Sequence, residues 1–202
     1  MEVRAPLEMP KAEIDQFVRS KENWIRTHLA KRQEKNSEKS AFSLHYGDRI
    51  LFLGKLYPII AKNGNRAGFN GEYFHLPPGL PPQEIKQIVV QIYKALAKKV
   101  MTDKITSYAK QMNLQPAKIG VTDAKTRWGS CSGRKNINFS WRLMMADEEL
   151  VDYVAIHELA HIIEPNHSPR FWSIMERVMP DYAERKKKLN ALADKLSRED
   201  WE

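Results

Sequence analysis

Cysteine is almost missing from these 202 residues, with Cys131 the single example. A lone thiol excludes a disulfide scaffold and a cysteine-rich metal site. No run approaches the about 18 apolar residues that a membrane helix needs, so no membrane span is expected. No charged-then-apolar leader opens the chain, so a secretory signal is not expected and a cytoplasmic location is. Internal repeats and low-complexity tails are absent too.

What is present is an ordinary globular composition, 42% hydrophobic and 29% charged, long enough for one domain with a real core. Lysine and arginine number 33 against 25 acids, a net charge of +8. That balance permits nucleic-acid or acidic partners. The positive charge is dispersed, however. Its densest run, Arg185-Lys186-Lys187-Lys188, lies in a helical pattern followed by Asp194, Glu199 and Asp200. It reads as a solvated helix face, with an electrostatic docking patch as the alternative.

Apolar residues between 11 and 32 (Ile14, Phe17, Val18, Trp24, Ile25, Leu29) recur at helical spacing. The polar stretch Gln33 to Ser40 reads as an exposed connection. From Phe42 to Leu76, short apolar runs are separated by Gly47-Asp48, Gly54-Lys55 and Asn63-Gly64, which predicts a meander of antiparallel strands. The prolines from Pro77 to Pro82 end it. A long helix is expected from about Pro82 to Asn113. Two strands follow, Lys118 to Val121 and Asn136 to Trp141, flanking a turn. Helices are expected at about 147–163, 168–179 and 181–198. The outline is α+β in a single domain, 1–202, with a helix-and-sheet part over about 1–80 and a mainly helical part over about 81–202.

The segment that carries chemistry is Asp152-Tyr153-Val154-Ala155-Ile156-His157-Glu158-Leu159-Ala160-His161. Histidines four apart on a helix lie one turn above each other, so both imidazoles can reach one ion. Glu158 sits about 100° round the helix from His157. It is poorly placed as a ligand and well placed to reach a water beside the ion. This is the H-E-x-x-H arrangement of two zinc ligands and a general base. Leu150, Val151, Val154, Leu159, Ile162 and Ile163 make the flanks apolar. Burial there would leave three polar groups in need of a partner, which a metal supplies.

Catalytic zinc commonly has three protein ligands. Pro165 disfavours helix through Glu164, so the chain should turn and bring His167 back towards the ion. Glu164 and Glu176 are the rivals. Ser168-Pro169 suits the N-cap and first residue of the next helix. His28, His45 and His75 have no partner spacing and read as surface residues.

These residues resemble the YgjP-like metal-dependent hydrolases, zincin-type metallopeptidases related to the SprT-like and WLM proteins. The resemblance rests on Asp152 to His161, on Asn166-His167-Ser168-Pro169-Arg170-Phe171-Trp172, and on Lys125-Thr126-Arg127-Trp128-Gly129-Ser130-Cys131-Ser132. Ile137, Trp141-Arg142-Leu143 and Pro180-Asp181-Tyr182 agree, so it spans roughly Val3 to Leu189. It implies a small antiparallel sheet followed by a zincin-like helical core, with His157, His161 and His167 as metal ligands and Glu158 as catalytic acid/base. Departures are Ser140, where the family usually has Asn, and Asp147, where a Pro often opens the active-site helix. Asp147 should still serve as N-cap. The chain starts at what looks like the end of the family's first strands.

The expected activity is hydrolysis of peptide bonds with one Zn2+ per chain. The ion lowers the pKa of water and polarises the scissile carbonyl, while Glu158 takes the water's proton and returns it to the leaving amine. Tyr153, Tyr182 and Arg127 are candidates for the oxyanion helper, each with a structural reading as well. The alternatives are a hydrolase of a non-peptide amide or ester, and a nucleic-acid-associated protease or binder. Cys131 reads as a small buried hydrophobe, with a fourth-ligand or nucleophile role as the alternative.

Overall fold

The computed structural model describes residues 2–201, which fall into two compact units. The first runs to Phe42 and takes in Ser197–Asp200. It holds α1 (Lys11–Ser20) and α2 (Glu22–Ala41). The predicted single helix is thus broken at Lys21, and the second helix continues through the stretch read as an exposed connection. Lysine, arginine, glutamine and glutamate are good helix formers even without an apolar stripe. Pairs such as Arg26 Nη2 to Glu22 Oε1 (2.7 Å) support one turn on the next. No side chain of either helix is buried.

The second unit is Ser43–Leu196 with Trp201. It opens with β1 (Arg49–Phe52), β2 (Lys55–Ala61), β3 (Gly68–Phe69) and β4 (Phe74–Leu76), in the spatial order β1-β2-β4-β3. The β1–β2 and β3–β4 pairs are antiparallel, but β2 and β4 run parallel, so the sheet is mixed and not a meander. Gly54 makes the β1–β2 turn at φ +78°, and a Cβ there would lie 2.0 Å from Oδ1 of Asp147. Only glycine satisfies both the left-handed backbone and that contact.

The long helix α3 (Pro82–Gln111) follows, with Pro82 at its first turn. Its buried stripe includes Ile85, Val89, Tyr93, Ala97, Met101 and Ile105. Three strands then form a second sheet: β5 (Lys118–Thr122), β6 (Gly129–Cys131) and β7 (Asn136–Ser140), in the order β5-β7-β6. β5 is parallel to β7, and β6 is an antiparallel edge in the segment read as a turn. A 3-10 turn, Trp141–Met145, leads into α4 (Glu148–Ile163), α5 (Pro169–Val178) and α6 (Tyr182–Leu196). The fold is α+β, with six helices and two small sheets among the described residues.

The core beneath α4 is aromatic. Trp141 stacks on Tyr93 (5.6 Å), and Trp201 meets both rings edge-on at 5.8 Å. Trp141 also donates Nε1–H to Asp123 Oδ1 at 3.0 Å, so its one polar atom is satisfied. On the α3 side, Lys104 Nζ lies 2.8 Å from Asp152 and 2.7 Å from Glu148, tying α3 to α4; Lys104 and Asp152 are largely shielded from water, whereas Glu148 is exposed.

Candidate metal centre

α4 owes its position to burial on nearly every side. Leu150, Val151, Val154, Ala155, Ile156, Leu159 and Ala160 are all buried. Asp147 stands at its N-cap without the side-chain bond expected of it; its carbonyl instead accepts from Leu150 and Val151. At the other end, Glu164 is extended (φ −133°, ψ 102°) immediately before Pro165, and the helix stops. The chain turns through Asn166 and His167. Ser168 then caps α5, its Oγ accepting from the Phe171 N–H at 3.3 Å, with Pro169 at the first position.

The turn brings three imidazoles together. One ring nitrogen from each of His157, His161 and His167 lies within 4.8 Å of the others. Nε2 of His157 and Nε2 of His167 are 3.0 Å apart. Nδ1 of His161 is 3.2 Å from the Glu164 carbonyl, which can only accept, so Nδ1 donates there and Nε2 is the ring nitrogen free to face an ion. Burial, with the neighbouring His161, His167 and Lys186, pushes His157 down to about 3, and His167 is also lowered, first by burial. Both are therefore neutral near pH 7, the form in which imidazole binds a metal. Nδ1 of His157 is buried with no hydrogen-bond partner. Convergent neutral nitrogens at this spacing fit a divalent ion. Of the rivals, Glu164 faces Arg170 (4.0 Å) and Glu176 is exposed on α5, so neither joins the cluster.

A ring that sequence reasoning did not single out underlies all three. Phe171 is fully buried, its centroid 4.9 Å from His157, 4.6 Å from His161 and 4.8 Å from His167. Its place three residues after the α5 cap reads in sequence as core, and here core and site coincide. Trp172 stacks on His167 (5.5 Å) and on Tyr182 (5.3 Å).

Glu158 projects to the β6 side. It is 5% exposed, with Oε2 lacking any hydrogen bond, and burial pushes its carboxyl up to about 8 against a smaller opposing pull from Arg127. A Cβ on Gly129 would stand 2.5 Å from Glu158 Oε1. Close approach is the demand on that glycine. Tyr153 is buried 5.7 Å from the His157 ring and, through burial and the Glu158 charge, its phenol is pushed up to about 12. Cys131 is half-buried on β6, and burial raises its thiol. His75 is also half-buried, not a surface residue as expected.

The YgjP-like metallopeptidase domain profile matches residues 1–192 of the sequence. The chain belongs to the YgjP-like metallopeptidase family. This YgjP-like protein is therefore a metal-dependent hydrolase of the peptidase type. Among solved structures, its coordinates are similar to those of two metallopeptidase zymogens. Jannalysin of Methanocaldococcus jannaschii is 22% identical, with a TM-score of 0.41 over 45% of this chain and 94% of that one. Abylysin of Pyrococcus abyssi is 24% identical, with a TM-score of 0.42 over 50% and 98%. No curated protein sequence matches this chain. None of its described helices is long and apolar enough to cross a membrane.

Proposed function

We propose that this YgjP-like protein is a zinc peptidase in which His157, His161 and His167 hold one Zn2+ and Glu158 is the general base. The observation that carries the reading is the convergence of three imidazoles beside the buried carboxyl of Glu158. An all-nitrogen set of three suits zinc and leaves a position open, as catalytic sites require and closed structural sites do not. When bound, the ion supplies Lewis acidity towards the scissile carbonyl and makes water a nucleophile near neutral pH.

The chain's own residues do the rest. His161 is held in one tautomer by the Glu164 carbonyl, which fixes its ring for coordination. Phe171 supports the three rings from below, limiting their rotation. Glu158, in its ionised form, accepts the proton of the attacking water at a carboxylate oxygen and passes it to the leaving amine nitrogen. Burial, which pushes the carboxyl of the metal-free site up to about 8, favours the protonated form that hands the proton on. The single cysteine fits a cytoplasmic location.

The test is metal content by elemental analysis of native protein, beside His161→Ala, His167→Ala and Glu158→Gln. About one zinc per chain, lost in both histidine variants and kept in Glu158→Gln with peptide cleavage abolished, supports the reading. Zinc retained in His167→Ala returns the third-ligand role to Glu164 or Glu176.

A further inference from the structure

Two cations stand near the site, Lys186 beside the histidines and Arg127 beside Glu158. The run Arg185-Lys186-Lys187-Lys188 is not a uniformly solvated face. Arg185 pairs with Asp181 (2.8 Å) and donates to the Glu149 carbonyl (2.9 Å), and Lys188 reaches Glu149 (2.9 Å) and Glu184 (3.2 Å). Those contacts engage the acids near this end of α6. Lys186 turns instead to the metal-centre wall, its Nζ 4.7 Å from the Trp172 ring that stacks on His167. Its charge reaches both His157 and His167. On the β6 side of α4, Arg127 is exposed two residues before Gly129, whose backbone is pressed on Glu158, and its charge reaches Glu158. Among the described residues, neither cation has an ion-pair partner.

Cations on two sides of a site focus field on whatever lies between them, and a bound divalent ion adds to the same sign. An extended peptide threading past Glu158 would pass one cation on each side of its scissile bond. We propose that the metal centre selects acidic peptides, with an Asp or Glu carboxylate on one side of the scissile bond met by Lys186 and one on the other side met by Arg127. This rests on the peptidase reading above and names its substrate class. Arg127 offers a planar fork that can grip a carboxylate at two points, whereas Lys186 acts as a point charge. A nucleic acid would share the charge but would need an aromatic face for its bases. Trp172 already stacks on His167 and Tyr182 and lies under Lys186, so its faces are in use.

The test is binding of fluorescein-labelled, alanine-rich peptides to zinc-loaded full-length Glu158→Gln protein, read by anisotropy. The peptides carry Glu, Gln or Lys on both sides of the central bond, and an oligothymidylate serves as competitor. The Glu peptide should bind about tenfold more tightly than the Gln peptide, and Lys186→Gln and Arg127→Gln should each remove about threefold to fivefold of that margin. Lys186→Glu should move the preference towards the Lys peptide, while Lys187→Gln, about 100° further round α6, should change nothing. Equal affinity for the Glu and Gln peptides, no measurable binding of either, or a margin that survives both neutral variants overturns the proposal. So does an oligothymidylate that binds more tightly through the same two residues. Acid-selective binding without cleavage by the native zinc-loaded protein would defeat the peptidase reading instead. Cleavage without acid preference would defeat only this inference.

Discussion

Gly129 and Glu158 touch so closely that a single methyl group on the glycine would begin 2.5 Å from the carboxylate oxygen and 2.7 Å from its Cγ. Strand β6 thus acts as a wall that hides Glu158 from water, and the hidden carboxylate is the one whose pKa rises to about 8. In Gly129→Ala the carboxylate must shift aside. A misplacement of about 1 Å near reacting atoms costs on the order of a hundredfold in rate. Peptide cleavage in this variant should fall at least tenfold, by the same reasoning. Zinc content should stay at the native value, because the three atoms nearest the glycine's added one all belong to Glu158. Loss of zinc together with activity would count against this division of labour.

Phe171 should matter to metal affinity as much as to folding. Phe171→Ala empties a fully buried site and should destabilise the chain by about 3–5 kcal/mol in denaturant titrations. Residues that orient ligands typically change metal affinity by about 10–100-fold, so a chelator competition should report a loss in that range. Phe171→Leu, which keeps most of the volume, should recover stability more fully than affinity, because a branched aliphatic cannot present a flat face to three rings.

The metal-free protein should lose stability as pH rises from about 6.5 to about 8. Glu158 has a folded pKa of about 8 against an ordinary 4.5, so across that interval the folded state binds more protons than the unfolded one. Stability then falls with pH. His157 works in the other sense: at about 3 folded and 6.5 unfolded, it makes stability rise with pH over its own interval and is spent above 6.5. The two oppose each other below pH 6.5, and Glu158 acts without that opposition above it. Melting temperatures of chelated protein should therefore decline from pH 6.5 to 8, and the decline should be shallower in Glu158→Gln. Parallel curves for the two proteins would refute the assignment.

Lys104 ties α3 to α4 through Asp152 and Glu148, and at about a fifth exposed it is only weakly screened. Lys104→Ala leaves Asp152 shielded without its cation and should cost about 1–3 kcal/mol. In the double variant Lys104→Met, Asp152→Leu, an apolar pair of similar size should restore much of that loss. Recovery no better than additive would show that the pair does not couple.

Much of the site was legible because its geometry is local. His157 and His161 share a face by the helical period alone, and Pro165 announced the turn that returns His167. Ser168-Pro169 marked the next helix for the same kind of reason. What stayed hidden depends on distant pairing. Gly129-Ser130-Cys131 has no intrinsic strand preference, and it becomes β6 because β7 lies alongside it. The parallel β2–β4 pairing is equally invisible, since alternation of side chains does not reveal strand direction. Phe171 and Trp172 have the spacing of ordinary core residues, and Lys186 is identical in sequence terms to Lys188. Only the fold separates a cation that braces two helices, as Lys188 does through Glu149, from one that faces the metal centre.

All three histidines fall between residues 157 and 167. Bringing them together closes only a short loop, which costs little entropy even in a chain that has not folded. An unfolded molecule can therefore chelate the same ion in a loose way, and a ligand that also binds the unfolded state stabilises the native one less than its native affinity implies. Added zinc should raise the melting temperature by less than the dissociation constant of the folded protein would dictate. A newly made chain can also take up its metal before the rest of the molecule has settled.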